Sequence, residues 1–360
     1  MAANLYVHFP FCRRKCSYCA LHSRAGVPRA ERDAYIRRIA AEIGGGLDGA
    51  GAGGPGRGAL KTVYFGGGSP AWCDLRPLGD VLRPHLGAGA EFTVELHPLD
   101  VTEDALSMLA DLGVNRISMG VQSLDDDILA DMGRGYAADD AERAFARIRR
   151  RFDNAGIDLI VGYPSPRIGR PTGGGEPGLA RLKNWGLRHC SVYSLILEER
   201  TRLWRQYGPG APQAHRLPTD DQALDALREV AGLLSELGLR RYEISSFAVP
   251  GFECRHNLSV WRGEDYIGLG DGAFGRLGRR RTSVMDGVRA ETEVDVLADR
   301  KERALFRLRT RDGLDATGFP EWGQALEKFV QEGLLTHENS VYLLTDRGTE
   351  VCDSILAELV

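Results

Sequence analysis

The sequence predicts an α/β protein built on a parallel β-sheet, with its chemistry gathered at the C-terminal ends of the strands. Six short runs rich in β-branched and aromatic residues alternate with helical periodicities along the first 200 residues. Parallel neighbours need crossover connections, and that alternation supplies them. The chemically distinctive residues follow the strands: cysteines after the first, glycines after the second, Glu95 at the end of the third and Gln122 after the fourth. Ligands bind at strand C-termini in both doubly wound sheets and barrels, and six units suit either a doubly wound sheet or an incomplete barrel.

Residues 5–9 form the first strand, ended by Pro10, with a cysteine-bearing loop behind it. Tyr35, Ile36, Ile39 and Ile43 recur at helical spacing over residues 30–43. Residues 44–58 are glycine-rich and read as a flexible connection. A second strand at 62–65 runs into Gly66-Gly67-Gly68-Ser69-Pro70. Strands at 91–96, 116–121, 157–161 and 189–195 continue the series, with helices from Thr102 and over 137–150 between them. Thr219-Asp-Asp-Gln222 has the form of a capping box, and Ala223, Leu227, Val230, Leu234 and Leu237 follow at spacings of four and three before Gly238. Residues 242–249 read as another strand. Beyond about residue 290 the strand and helix rhythm is lost. Helical patterns near 299–310 and 321–333, a strand at 341–344 and a last helix predict a separate winged-helix-like α+β domain over 291–360, after a first domain over 1–290.

Lys+Arg 46 against Asp+Glu 50 gives a formal net charge of -4, which excludes a nucleic-acid partner held by a broad basic field. No apolar run approaches the roughly 20 residues of a bilayer span, and the N-terminus has no signal-peptide pattern. Seven cysteines, three of them clustered, do not form a secreted disulfide framework, so a reducing cytoplasm is expected.

The cluster is Cys12-Arg-Arg-Lys-Cys16-Ser-Tyr-Cys19. Three thiolates this close can converge on one inorganic centre from a single loop, and three leave one iron of a [4Fe–4S] cluster without a protein ligand. That iron can bind a substrate or cofactor. A structural zinc loop is the competing assignment, but zinc ribbons pair two knuckles and no second knuckle is present.

C-x3-C-x2-C with Tyr18 before the last cysteine resembles the signature of the radical S-adenosylmethionine superfamily. The resemblance implies a partial (β/α)6 barrel of the radical SAM type, and so decides between the two architectures. It implies a [4Fe–4S] cluster held by Cys12, Cys16 and Cys19, whose open iron chelates S-adenosylmethionine. It places Gly67, Gly68 and Ser69, from a GGGTP-type segment with serine in the threonine position, against the methionine amino group. Glu95, Gln122, Arg134 and Asp158 match positions for the nucleoside and carboxylate portions, and Tyr6 and Tyr18 are aromatic contacts near the cluster. Taken alone, each of these would more often be a surface charge or a strand-end cap.

The segments 242–261, with His256-Asn257 and Trp261, and 265–273 resemble the heme chaperones of the HemW family, relatives of the oxygen-independent coproporphyrinogen III oxidases. The resemblance runs through residues 115–123 to Leu344-Thr-Asp-Arg-Gly348. It implies heme as ligand, with His256 on its iron, and acceptor hemoproteins as partners, respiratory enzymes at the membrane among them. Cys254 could point the same way as His256 along a strand, as a buried thiol. Leu21 stands where the oxidases carry a further cysteine, which favours the chaperone. A radical methyltransferase or porphyrin-modifying oxidase generating a 5′-deoxyadenosyl radical is the alternative. The chain departs from the family at Val260, Phe274, Leu96-His97-Pro98 and the 165–171 loop.

Overall fold

The computed structural model describes residues 4–48, 59–164 and 178–360. Its frame is six parallel strands: β1 (Asn4–Phe9), β2 (Leu60–Gly67), β3 (Leu86–Leu96), β4 (Arg116–Gln122), β5 (Asn154–Val161) and β6 (His189–Ser194). Each pairs in parallel with the next, so spatial order follows chain order without the reversal of a doubly wound sheet. The winding is that of a barrel. It stays open, because the far edge of β1 pairs with another strand and not with β6.

Two-residue alternation decides what each face of the sheet carries. Leu5, Val7, Phe9, Val63, Phe65, Phe92, Val94, Ile117, Met119, Ile157, Leu159 and Val192 belong to one large apolar core. The same core takes in Ile36, Ile39 and Ile43 of α1 (Arg29–Asp48), Leu78 and Leu82 of α2 (Arg76–Leu82), Leu106 and Leu109 of α3 (Glu103–Asp111), Leu129 of α4 (Asp126–Met132), and Phe145 and Ile148 of α5 (Ala138–Arg149). The alternate positions are polar and face the concave interior. Their register sets Asn4 beside Thr62, Tyr6 beside Tyr64, Thr93 beside Arg116, Glu95 beside Ser118, and Asp158 beside Ser191.

Helices begin where the sequence provides caps. Thr102 Oγ1 accepts the Ala105 N–H at 3.1 Å ahead of α3. The capping box of α6 (Asp220–Glu236) forms as expected, the Gln222 N–H donating to Thr219 Oγ1 at 3.3 Å and the Thr219 N–H to Gln222 Oε1 at 2.9 Å.

Three expectations need correction. Helix α1 runs on through Gly44 to Asp48, so the first part of the glycine-rich stretch is helical; residues 49–58 lie outside the described residues, as do 165–177. The strand expected over 242–249 is reduced to β8 (Ser246–Ala248), flanked by β7 (Arg240–Arg241), because the intervening backbone turns away: the Ile244 N–H donates to the Arg309 carbonyl at 3.1 Å. Cys254 and His256 lie on no strand. They open α7 (Arg255–Trp261), with Cys254 at the N-cap.

The sheet also extends past β1. β9 (Tyr266–Leu269) pairs with β1 in parallel, and β10 (Phe274–Leu277), β11 (Arg280–Met285) and β12 (Val288–Glu293) follow as an antiparallel meander. Asp286-Gly287, both at positive φ (52° and 77°), make the last turn, the Asp-Gly chemistry that two-residue hairpins require.

The remaining elements build a second, smaller core. α8 (Val296–Leu308), β13 (Leu314–Asp315), α9 (Gly323–Gln331), β14 (Leu335–Glu338), β15 (Val341–Leu344), α10 (Asp346–Glu350) and α11 (Cys352–Leu359) enclose Leu305, Leu308, Trp322, Leu326, Phe329 and Ile355. The three strands pair antiparallel with β15 in the centre, a winged-helix-like arrangement. Among the described residues no helix is long and apolar enough to cross a membrane.

One buried carboxylate seats α7 on the barrel. Glu91 Oε2 accepts the Arg255 N–H and Oε1 the His256 N–H, both at 2.9 Å, doing for this helix what the Cys254 side chain cannot. Glu91→Ala leaves two buried donors unsatisfied and is expected to lower unfolding free energy by about 2–4 kcal/mol. Urea denaturation checks this, and a change under roughly 0.5 kcal/mol would show that α7 is held by other contacts.

Candidate functional site

At the C-terminal ends of the strands the sheet encloses a cavity of about 740 Å³. The loop after β1 roofs one side. It is fastened through Ser17, whose N–H donates to the Met132 carbonyl at 2.9 Å, whose carbonyl accepts the Leu203 N–H at 2.8 Å, and whose hydroxyl lies 3.2 Å from the Tyr163 hydroxyl. Lys15 closes the loop on itself, donating to the Leu21 carbonyl at 2.6 Å and to Ser23 Oγ at 2.7 Å. With Ser17 turned into the wall, Cys12, Cys16, Cys19 and Tyr18 line the cavity. All three thiols are free, and burial raises those of Cys12 and Cys19.

The glycine segment follows β2. A Cβ on Gly67 would meet the His8 ring at 2.6 Å, and one on Gly68 would meet the Phe11 carbonyl oxygen at 2.4 Å, so only glycine lets this backbone close on β1. The Gly68 and Ser69 N–H groups donate to the Phe9 and Phe11 carbonyls, both at 2.7 Å. The Ser69 hydroxyl donates to buried Asp100, which also pairs with Arg13 at 2.5 Å. Asp100 thereby joins the glycine segment to the cysteine loop.

Carboxylates and an arginine occupy the walls. Glu95 accepts from the Tyr64 hydroxyl at 2.7 Å and the Gly67 N–H at 3.0 Å. Burial, aided by nearby Asp158, pushes its carboxyl up to about 7. Asp158, raised by burial, accepts from Ser118 Oγ at 3.1 Å. Gln122 sits at φ 74°, where the pairing of β4 with β5 shifts register, and this bulge turns its side chain into the cavity. Arg134, between Gly133 and Gly135, donates to Tyr136 Oη at 3.0 Å, to Cys16 Sγ at 3.3 Å and to the Gly120 carbonyl at 2.5 Å. Two of its five N–H groups remain for a ligand.

The cavity thus brings together Cys12, Cys16, Cys19, Tyr18, Gly67, Gly68, Ser69, Glu95, Gln122, Arg134 and Asp158. Tyr6 and His256 are not in its lining. Tyr6 points into the layer beneath, its hydroxyl 3.0 Å from His8 Nδ1 and its ring beside Tyr64 and His256. It is no neighbour of the cysteine loop, because β1 carries it below the rim. His256 is 4% exposed, and burial, with the charge of Arg116, lowers it to about 3. Its tautomer follows from the hydrogen bonds around it: Asn4 Nδ2 donates to the Asp265 carbonyl, so Asn4 Oδ1 takes the Thr62 hydroxyl proton at 2.9 Å. Thr62 Oγ1 then accepts from His256 Nδ1–H at 2.7 Å, and Nε2 carries the lone pair.

Asp100, Arg116 and Asn257 also line the cavity. None was singled out from sequence. Arg116 had a signal, a charge opening a strand at an inward position; Asp100 lies on a turn and Asn257 in the short helix α7, neither with a periodicity to mark it.

Comparison with known proteins extends these observations. Residues 6–166 match the radical SAM superfamily. The heme chaperone HemW of Escherichia coli strain K12 is 31% identical over 98% of this chain and 97% of its own length, and that of Bacillus subtilis 30% identical over 99% and 100%. The chain belongs to the HemW family. A mitochondrial radical S-adenosyl methionine domain-containing protein 1 from Bos taurus is 35% identical over 76% of this chain and 60% of its own. The solved structure of coproporphyrinogen III oxidase HemN from Escherichia coli superposes with a TM-score of 0.78, covering 99% of this chain and 90% of that one at 21% identity, a likeness of fold.

Family membership implies a [4Fe–4S] cluster and S-adenosylmethionine, and the donor set here suits both. Three free thiols from one loop match an open four-iron cluster, and glycines that admit no Cβ, beside wall carboxylates, make a cradle for a small polar molecule. Where the oxidases were expected to carry a further cysteine, Leu21 is 54% exposed and offers no thiolate.

The buried Glu95 makes stability pH-dependent. Its carboxyl titrates near 4.5 when unfolded and about 7 when folded, so across that window the native state keeps a proton that the unfolded state has lost. Stability of the cofactor-free protein falls as pH rises through it, by roughly 3 kcal/mol in all. Glu95→Gln should raise the melting temperature at pH 8 and change it little at pH 5. Equal effects at both pH values would place the Glu95 pKa at its ordinary value.

Proposed function

We propose that this chain binds heme and passes it to acceptor hemoproteins, as its HemW relatives are named for doing. The observation that carries this is the near-full-length similarity to those chaperones, which extends beyond the radical SAM portion into the segment containing His256.

In this proposal Cys12, Cys16 and Cys19 hold the cluster, with Arg134 donating to the Cys16 sulfur. Bound S-adenosylmethionine and a reduced cluster together supply one-electron chemistry. The chain's own residues position the cofactor. Backbone groups of Gly67 and Gly68 face the methionine end, Gln122 and the two free N–H groups of Arg134 take its polar atoms, and the carboxyl groups of Glu95 and Asp158 meet the ribose hydroxyls. Ser69 acts through Asp100, its hydroxyl already committed there. Tyr18 packs beside the cluster loop, while Tyr6 orders the layer below through His8.

His256 is the proposed axial ligand to heme iron. Its Nδ1 is occupied by Thr62, which leaves Nε2 neutral and basic, the form that binds iron. The ring lies against Tyr6, Tyr64 and Tyr266. Free thiols at the loop fit a reducing compartment, the cytoplasm, and respiratory enzymes at the membrane fit as acceptors.

Anaerobic heme titration of the cluster-reconstituted protein, followed in the Soret region, tests the proposal. Wild type should bind stoichiometrically, and His256→Ala should shift or abolish the Soret band. Failure of wild type to bind would overturn the chaperone function and leave a radical enzyme acting on another substrate. Cys16→Ala should reduce bound iron from about four per chain to near zero by iron and sulfide analysis; full retention would remove Cys16 from the ligand set.

A further inference from the structure

Arg116 is a buried cation inside the barrel that has no hydrogen-bond partner among the described residues, although the neighbouring Cys254 and Glu91 outweigh burial and favour its charged form. It is 1% exposed, its Nε is buried with no hydrogen-bond partner, and its guanidinium makes no hydrogen bond or ion pair with any described residue. A guanidinium has five donors in a rigid fork, and one that donates none of them to the described residues is suited to a bidentate anion arriving from outside the fold. The nearby acids take their hydrogen bonds elsewhere, Asp158 from the Ser118 hydroxyl. Both oxygens of Glu91 accept N–H groups of α7, and those of Glu95 accept from Tyr64 and Gly67.

Position separates Arg116 from the S-adenosylmethionine site. It lines the same cavity as the cysteines, but on β4 it precedes Gly120, whose carbonyl Arg134 contacts, by four residues. At strand rise it therefore lies about 13 Å deeper, near the floor. A methionine carboxylate held at the rim beside Cys16 does not reach it. Asn257 lines the cavity too, one residue along α7 from His256. Floor and proposed iron ligand are neighbours, close enough for the charge of Arg116 to depress the imidazole.

We propose that Arg116 is the receptor for a carboxylate of the cargo, a propionate arm of the porphyrin, bound bidentately at the cavity floor. This rests on the heme-binding function above. With one arm on Arg116 the macrocycle edge is drawn to the floor beside α7, which orients its iron toward His256.

The test compares heme with heme dimethyl ester, whose propionates are neutral, on the cluster-reconstituted full chain under anaerobic conditions. Wild type should prefer the free acid by roughly tenfold or more, as loss of a charge-assisted hydrogen-bond pair predicts. Arg116→Gln should bring the two affinities to within about threefold, and Arg116→Lys should keep part of the preference. Equal affinities in wild type, or an undiminished preference in Arg116→Gln, overturn the inference while leaving heme binding intact. If neither porphyrin binds wild type, the carrier function falls and the inference with it. The wild-type comparison decides the matter alone if Arg116→Gln does not fold.

Discussion

Two-residue alternation along six parallel strands sorts this chain into an apolar exterior, sealed by helices, and a polar interior. A parallel sheet whose strands run in sequence order curls with one face inward, and here that face carries Tyr64, Glu95, Arg116, Ser118, Asp158 and Ser191. Small barrels usually fill that space with branched apolar side chains. This one lines it with polar and charged groups, at the cost of burying several of them. Stability has to come from the outer layer, the apolar core to which Phe65, Phe92, Ile117 and Phe145 belong.

The rim is ordered by ties between loops. Asp100 holds both Arg13 and Ser69, Glu95 holds the Gly67 backbone, and Arg134 spans from Tyr136 to Cys16. Thiols, glycines and carboxylates are thus placed by shared hydrogen bonds, and ligand binding need not order them from scratch.

The barrel was legible because strand parity and helical spacing agree over the first 200 residues, and the cysteine loop was legible because its spacing carries chemistry. The meander of β10 to β12 was not, although Asp286-Gly287 is a hairpin signal flanked by short alternating runs. Residues 242–249 have strand composition, yet tertiary pairing of Ile244 with Arg309 cuts the strand short. Side-chain direction was the hardest to read. The sequence placed His256 along a strand, and nothing local reveals that Glu91, 165 positions earlier, caps a helix there and accepts the His256 N–H.

Ser17 joins two distant parts of the wall, accepting from Leu203 beyond β6 and donating to Met132 at the end of α4. The barrel is open along its edge, so this single residue acts as a drawstring across the gap. A guest wide enough to spread the mouth would pull on the same loop that carries Cys16 and Cys19.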